Sequence, residues 1–160
     1  MCGFGIEVRR DGSVDRDALE RIGASMQPRG PDGSGVWVDG GVGMVHRRLA
    51  IIDLSERGAQ PMRDEARGLT IVFNGCIYNH HELRRELIAL GHAFDSLSDT
   101  EVLLKGWAQW GEDLPTRLHG MFAFVLHEQA SGRTILVRDR LGVKPLYLAE
   151  VPGGLRAAAF

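Results

Sequence analysis

NHHELRRELIALGHAFDSLSDTEVLLKGWAQWG (residues 79–111) carries two helical patterns in succession. In the first, residues 79–91, Leu83, Leu87 and Leu90 recur at helical spacing behind an Asn79/Glu82 capping-box pair, and Gly91 ends the run. In the second, residues 98–111, Ser98 and Glu101 repeat the device ahead of Leu103, Trp107 and Trp110, and Gly111 closes it. No strand pattern separates the two helices. A parallel α/β sheet would alternate strand and helix; here strand signals gather on either side of an adjacent helix pair, which predicts a layered α+β fold.

Working outward, LTIVFN (residues 69–74) reads as a buried strand ended by Gly75, and CGFGIEV (residues 2–8) as another, because β-branched and aromatic residues come before any helical period develops. Residues 15–26 place Leu19, Ile22 and Met26 at helical spacing with acidic residues in the first turn, and Pro28 stops the run. QPRGPDGSG (residues 27–35) is rich enough in Pro and Gly to form only a shaped loop. Strand runs at 36–39 and 42–46 meet at a Gly40-Gly41 hairpin turn. RRLAIIDL (residues 47–54) reads as a strand or extended segment, SERGAQPM (residues 55–62) as a loop. Further strands are expected at 121–127, 134–138 and 145–151. RAAAF follows Gly153-Gly154 with no capping or turn signal and reads as a cut through a larger protein.

At 160 residues and 44% hydrophobic content the chain suits one domain with a sizeable core. The net charge of −2, with Arg47-Arg48 the longest basic cluster, argues against nucleic acid as a partner. No apolar run approaches the roughly 18 residues of a membrane helix. Cys2 and Cys76 have no apolar signal segment ahead of them, so both are expected as reduced thiols in a cytoplasmic protein. The six histidines show no metal-ligand spacing with the cysteines, and no metal is expected.

Removal of Met1 would leave Cys2 with a thiol and a free α-amine on one residue, and an amine with an unperturbed pKa of about 7.7–8.0 can take the thiol proton near neutral pH. Taken alone, Cys2 is as well explained as a small residue after the start codon. In NGCIYNH (residues 74–80) an Asn amide and a Gly N–H could aim at one oxygen, and a plain hairpin turn reads equally well. Asp99 could bind a cation or simply complement a helix dipole. Arg48 could fork onto a carboxylate or stand as a solvated charge.

MCGFG, RGPDGSG, HRRLAIID, GAQPM, FNGCIYNHHELR, SDTEVLL, GMFAF and RDRLGVKPLY, in this order, resemble the glutaminase domain of asparagine-synthetase-type class II amidotransferases over essentially the whole chain (residues 2–160). The resemblance implies a four-layer αββα N-terminal-nucleophile hydrolase fold with two stacked antiparallel sheets. It also implies roles. Cys2 matches the nucleophile, Asn74 and Gly75 the oxyanion hole, Arg48 the holder of the substrate α-carboxylate and Asp99 the carboxylate for its α-ammonium. Ile51 and Ile52 match positions whose backbone lines the glutamine pocket. The implied reaction is thiolate attack on the glutamine side-chain amide, loss of ammonia and hydrolysis of a glutamyl thioester. No cofactor is implied for this domain; ATP and magnesium belong to a C-terminal synthetase domain that would be its partner. A homodimer is left open.

Two departures stand out. Cys76 occupies the place of a usual Glu, which removes a carboxylate from the α-ammonium site; it reads as a small buried residue or a second reactive thiol. Gln27-Pro28 replaces a usual Arg-His ahead of RGPD. Together they resemble the branch that includes N-acetylglutaminylglutamine amide synthetases. RDRLGVKPLY lacks a Gly-rich phosphate cradle and reads as structural, facing the absent domain. HRRLAIID and RGPD argue against the phosphoribosyl- and hexosamine-coupled amidotransferases. The remaining rival is a non-catalytic, glutamine-binding regulatory module of the same fold.

Overall fold

The computed structural model describes residues 2–160; Met1, and with it the expected removal of that residue, lies outside the described residues. In chain order the strands are β1 (Gly3–Arg9), β2 (Gly33–Asp39), β3 (Val42–Arg48), β4 (Met62–Asp64), β5 (Leu69–Ile77), β6 (Gly120–Glu128), β7 (Arg133–Arg138), β8 (Tyr147–Val151) and β9 (Gly154–Ala159). The helices are α1 (Arg16–Ser25), α2 (His80–Ala89), α3 (Asp99–Trp110) and a single turn, α4 (Leu114–Arg117). The strands form two sheets, ordered β2-β3-β1-β9-β8 and β4-β5-β6-β7. Every strand pair is antiparallel.

Side-chain alternation stacks the layers. Phe4 and Ile6 of β1, Met44 of β3, Val72 of β5 and Val125 of β6 form a core between the sheets. Gly3 and Gly5 take the other face of β1, where α1 lies so close that a Cβ on Gly5 would meet Ile22 at 2.6 Å. Leu19 of α1 and Met26, just past its end, pack there against Val45. On the far side of the second sheet Leu83, Leu87, Leu103, Leu104 and Trp107 cover Ile71, Phe73 and Phe124. Burying each such side chain contributes about 1.5–3 kcal/mol. The order helix, sheet, sheet, helix is the four-layer arrangement that the resemblance implies.

The hairpin at Gly40-Gly41 forms as expected, with Asp39 opposite Val42, and Asp15 caps α1 through the Ala18 N–H at 2.9 Å. Other local expectations need correction. β5 does not end at Gly75 but runs on to Ile77, because Gly75 serves a close approach rather than a turn: its ladder partner is Phe122, and a Cβ would meet the Phe122 Cα at 2.7 Å. Residues 49–54 leave the sheet, exposing Ile51 by 68% and Leu54 by 78%, since Arg48 and Asp53 fold this segment into a loop. RAAAF is largely an inner strand, β9, whose Ala157 and Ala159 are buried between the sheets; alanine's weak strand preference hid it. The Asn79 box is not made, because the Asn79 amide instead bridges the Arg117 carbonyl and the His119 N–H. Ser98 does cap α3, through the Thr100 N–H, whereas Glu101 takes the N–H groups of Asp95 and Ser96. β4 and α4 carried too short a pattern to be read.

Candidate active site

One cavity of about 220 Å³ gathers every site residue singled out in the sequence: Cys2, Arg48, Ile51, Ile52, Asn74, Gly75, Cys76 and Asp99 all line it. The strands explain the convergence. Val72 points between the sheets, so Asn74 and Cys76, two and four residues on, share its face. Cys2 precedes Phe4 by two and takes the matching side of the first sheet. Thiol and amide therefore meet across the gap where the inter-sheet core gives way to open space.

The Cys2 sulfur accepts the Leu49 N–H at 3.3 Å and lies 3.6 Å from the Leu49 carbonyl. Asn74 is fully buried, yet neither its Nδ2 nor its Oδ1 has a hydrogen-bond partner among the described residues. Leaving a buried amide unpaired costs about 1–3 kcal/mol, so both atoms call for a partner beyond the described residues, a bound ligand or an ordered water.

Asp99 opens α3, is 5% exposed and accepts the Ile77 N–H at 3.1 Å. Burial raises its carboxyl above the ordinary 3.8, and the Ile77 hydrogen bond opposes this only in part. Its charge is thus poorly compensated within the protein and suits an incoming cation. Cys76 is half-buried; burial, then Asp99, pushes its thiol up, which favours the small packed residue over the reactive second thiol.

Arg48 donates from Nη1 to the Ser55 carbonyl at 2.8 Å and from Nη2 to the Asp53 carbonyl. It thereby braces the 49–55 loop while keeping further guanidinium N–H groups for the cleft. RGPD secures the other side of that loop: Asp32 Oδ2 accepts the Ala50 N–H at 2.9 Å, and the Asp32 N–H donates to the Arg48 carbonyl.

Sequence reasoning passed over the supports. Gln60 bonds the Phe73 N–H at 2.7 Å and the Thr100 hydroxyl at 3.1 Å, tying β5 to α3 under the cleft. Asp53 accepts the Ser55 N–H and hydroxyl and, 2.8 Å away, the Leu97 N–H; the Ser55 hydroxyl is the leading cause that holds its carboxyl low. Both lie in quoted motifs, and a polar residue inside an otherwise apolar or Pro-bounded run was the available signal. His46 donates from Nε2 to the Phe73 carbonyl, and burial lowers it to about 3, so it is neutral at physiological pH. Among the described residues no three His, Cys, Asp or Glu side chains are grouped to hold a metal ion, and no helix is long and apolar enough to cross a membrane.

Two stacked antiparallel sheets between helices, with a thiol at the head of an inner strand, define a class II amidotransferase domain of the N-terminal-nucleophile fold. The chain belongs to the glutamine amidotransferase domain family, whose model matches residues 1–159, and it is of the asparagine-synthetase type. It is 40% identical over 154 residues to asparagine synthetase [glutamine-hydrolyzing] 3 of Bacillus subtilis (strain 168), covering 94% of this chain and 25% of the relative. The corresponding synthetase of Asparagus officinalis is 38% identical over 150 residues, with 92% and 25% covered. The chain thus spans about a quarter of the length of the curated relatives it matches. Among solved structures, glutamine phosphoribosylpyrophosphate amidotransferase from B. subtilis superimposes with a TM-score of 0.80 at 21% identity, covering 99% of this chain and 41% of that one, which shows a shared fold.

Proposed function

We propose that this chain hydrolyses the side-chain amide of glutamine through a thioester on Cys2 and supplies the ammonia to an ATP-dependent synthetase domain. The observation that carries the reading is Asn74, a buried amide with neither atom paired among the described residues, lining the same cleft as the Cys2 thiol. The Cys2 sulfur attacks the amide carbon, and the carbonyl oxygen, as it becomes anionic, takes hydrogen bonds from Asn74 Nδ2 and the Gly75 N–H. The C–N bond then breaks, and the α-amine of a processed Cys2 passes the thiol proton to the leaving nitrogen, which departs as ammonia. Water cleaves the thioester and releases glutamate. Arg48 takes the substrate α-carboxylate, Asp99 its α-ammonium, and the Ile51 and Ile52 backbone closes the pocket beside Cys76.

The names of the matched relatives, glutamine-hydrolysing asparagine synthetases, support this reading, as does the share of their length that lies beyond the match. In that remainder we place the synthetase domain, with its ATP and magnesium. Leu141 and Leu148, 90% and 61% exposed, give that domain an apolar surface to cover. The unpaired thiols of Cys2 and Cys76 suit a cytoplasmic setting.

The test is glutamate and ammonia release from glutamine by untagged protein, with intact mass confirming loss of Met1 and Cys2→Ala as control. Turnover that requires Cys2 is expected. Glutamine binding without turnover by Met1-free protein would overturn the reading in favour of a regulatory module.

A further inference from the structure

His46 is fully buried in β3, and the mechanism above makes no use of it. Its place in the fold is between the two halves of the site. In the β1–β3 ladder its partner is Phe4, two residues beyond Cys2, and two residues further along its own strand Arg48 lines the cleft. Alternation turns the ring into the space between the sheets, where Phe4 and Met44 also lie. From there Nε2 crosses to the second sheet and donates to the Phe73 carbonyl at 3.2 Å. That carbonyl and the Asn74 N–H belong to one peptide group.

The carbonyl lies on an edge of β5 that β4 leaves open, because β4 pairs only with Leu69 to Ile71. Beyond that point side chains replace the missing ladder: Gln60 accepts the Phe73 N–H at 2.7 Å, and Asp99 accepts the Ile77 N–H at 3.1 Å. Main-chain groups two residues apart on a strand face the same edge, so the Gly75 N–H, midway between these two, faces it as well. Phe73, Asn74 and Gly75 all line the cleft. His46 is therefore bonded to the head of the segment that carries both oxyanion donors, while the thiol is carried by the other sheet. The spacing of thiol and donors is a spacing between sheets. Apolar packing between them is non-directional, whereas a hydrogen bond fixes both distance and angle.

We propose that His46 is a positioning residue for the oxyanion site: by tethering the Phe73 carbonyl to β3, it holds Asn74 and Gly75 at their working distance from Cys2. The proposal rests on the reading of Cys2 as nucleophile and of Asn74 and Gly75 as oxyanion donors. Burial lowers the imidazole to about 3, so at neutral pH it serves as an uncharged donor with its proton on Nε2. Nδ1 has no hydrogen-bond partner among the described residues, so the bond to Phe73 is the polar contact that a substitution removes.

The test is initial-rate kinetics of His46→Leu and His46→Gln beside wild type and Cys2→Ala, with thermal unfolding verifying the fold and iodoacetamide alkylation of Cys2 reading the thiol itself. A misplacement of about 1 Å costs about 10²-fold in rate, so His46→Leu should lower kcat about 10- to 100-fold, evenly from about pH 6 to 9, with KM within a few-fold and Cys2 alkylation unchanged. His46→Gln, whose side-chain amide can donate from nearly the same place, should return kcat to within a few-fold of wild type. A folded His46→Leu with wild-type kcat, an equal loss in both variants, or a loss carried by KM overturns the proposal. Should His46→Leu not fold, His46→Phe replaces it under the same criteria, and loss of folding in both assigns the bond to stability and also overturns it. Failure of the nucleophile reading shows separately, as a wild type without Cys2-dependent turnover, and removes the ground for both.

Discussion

Asp99→Asn should weaken glutamine binding while leaving the fold as stable as before or more so. Opposing influences act on this carboxylate, and burial is the largest. Its place in the first turn of α3 favours the charge by about 0.3–1 kcal/mol, and the N–H groups of Ile77, Asp99 and Thr100 favour it too. Burial opposes them and prevails, since the net direction is upward from 3.8. A carboxyl whose folded value is raised contributes stability below the unfolded value and loses it as pH rises through the folded one. At pH 7 the wild type therefore carries the cost of a buried charge that the Asn variant, still able to accept the Ile77 N–H, does not. In the complex the balance reverses. A hydrogen bond between charged partners is worth about 1.5–3 kcal/mol, so KM for glutamine should rise about 10- to 150-fold. Thermal unfolding from pH 3 to 8 should show the variant's advantage shrinking toward pH 3–4, and initial-rate kinetics at pH 7.5 should place the defect mainly in KM. An unchanged KM together with a clear loss of stability at pH 7 would refute the reasoning and leave Asp99 as a helix cap.

Asn74→Ala should lower kcat about 10²- to 10³-fold with KM within a few-fold, because an oxyanion donor acts in the transition state. Its melting temperature should not drop as a buried Asn→Ala change ordinarily would, since neither amide atom has a hydrogen bond to lose among the described residues. Glu128→Gln tests the scaffold behind the site, where Glu128 accepts from Arg133, Ser131 and the Trp107 indole N–H at 2.8 Å, linking β6 to α3. The Arg133 hydrogen bond, ahead of Ser131, lowers this carboxyl from 4.5 to about 2, so its contribution is present above pH 4.5 and disappears as pH falls through about 2. With Arg133 half exposed, chemical denaturation at pH 7 should register a loss of about 1 kcal/mol that fades across that window.

The sequence revealed those parts of the site that depend on local pattern. Ser98, Asp99 and the apolar period of α3 are a local signal, and the helix formed where that signal lay. Only as a strand end was Gly75 misread: a turn and a close backbone approach both select glycine, and the β5–β6 register separates them. The same limit hid β9. Its alanines offer little strand preference, and what holds them is pairing with β1 and burial between the sheets, a setting that arises once both sheets exist. Gln60 and Asp53 were overlooked because the partners that tie them to other elements, Phe73, Thr100 and Leu97, lie 13 to 44 residues away. Such distance accounts for their importance as well. The cleft is built from a strand head, a loop, a mid-strand amide and a helix start that share no local contacts, so its geometry depends on buried polar side chains reaching across the chain. Losing one of these should loosen the placement of Asp99 and Arg48 before it disturbs either sheet.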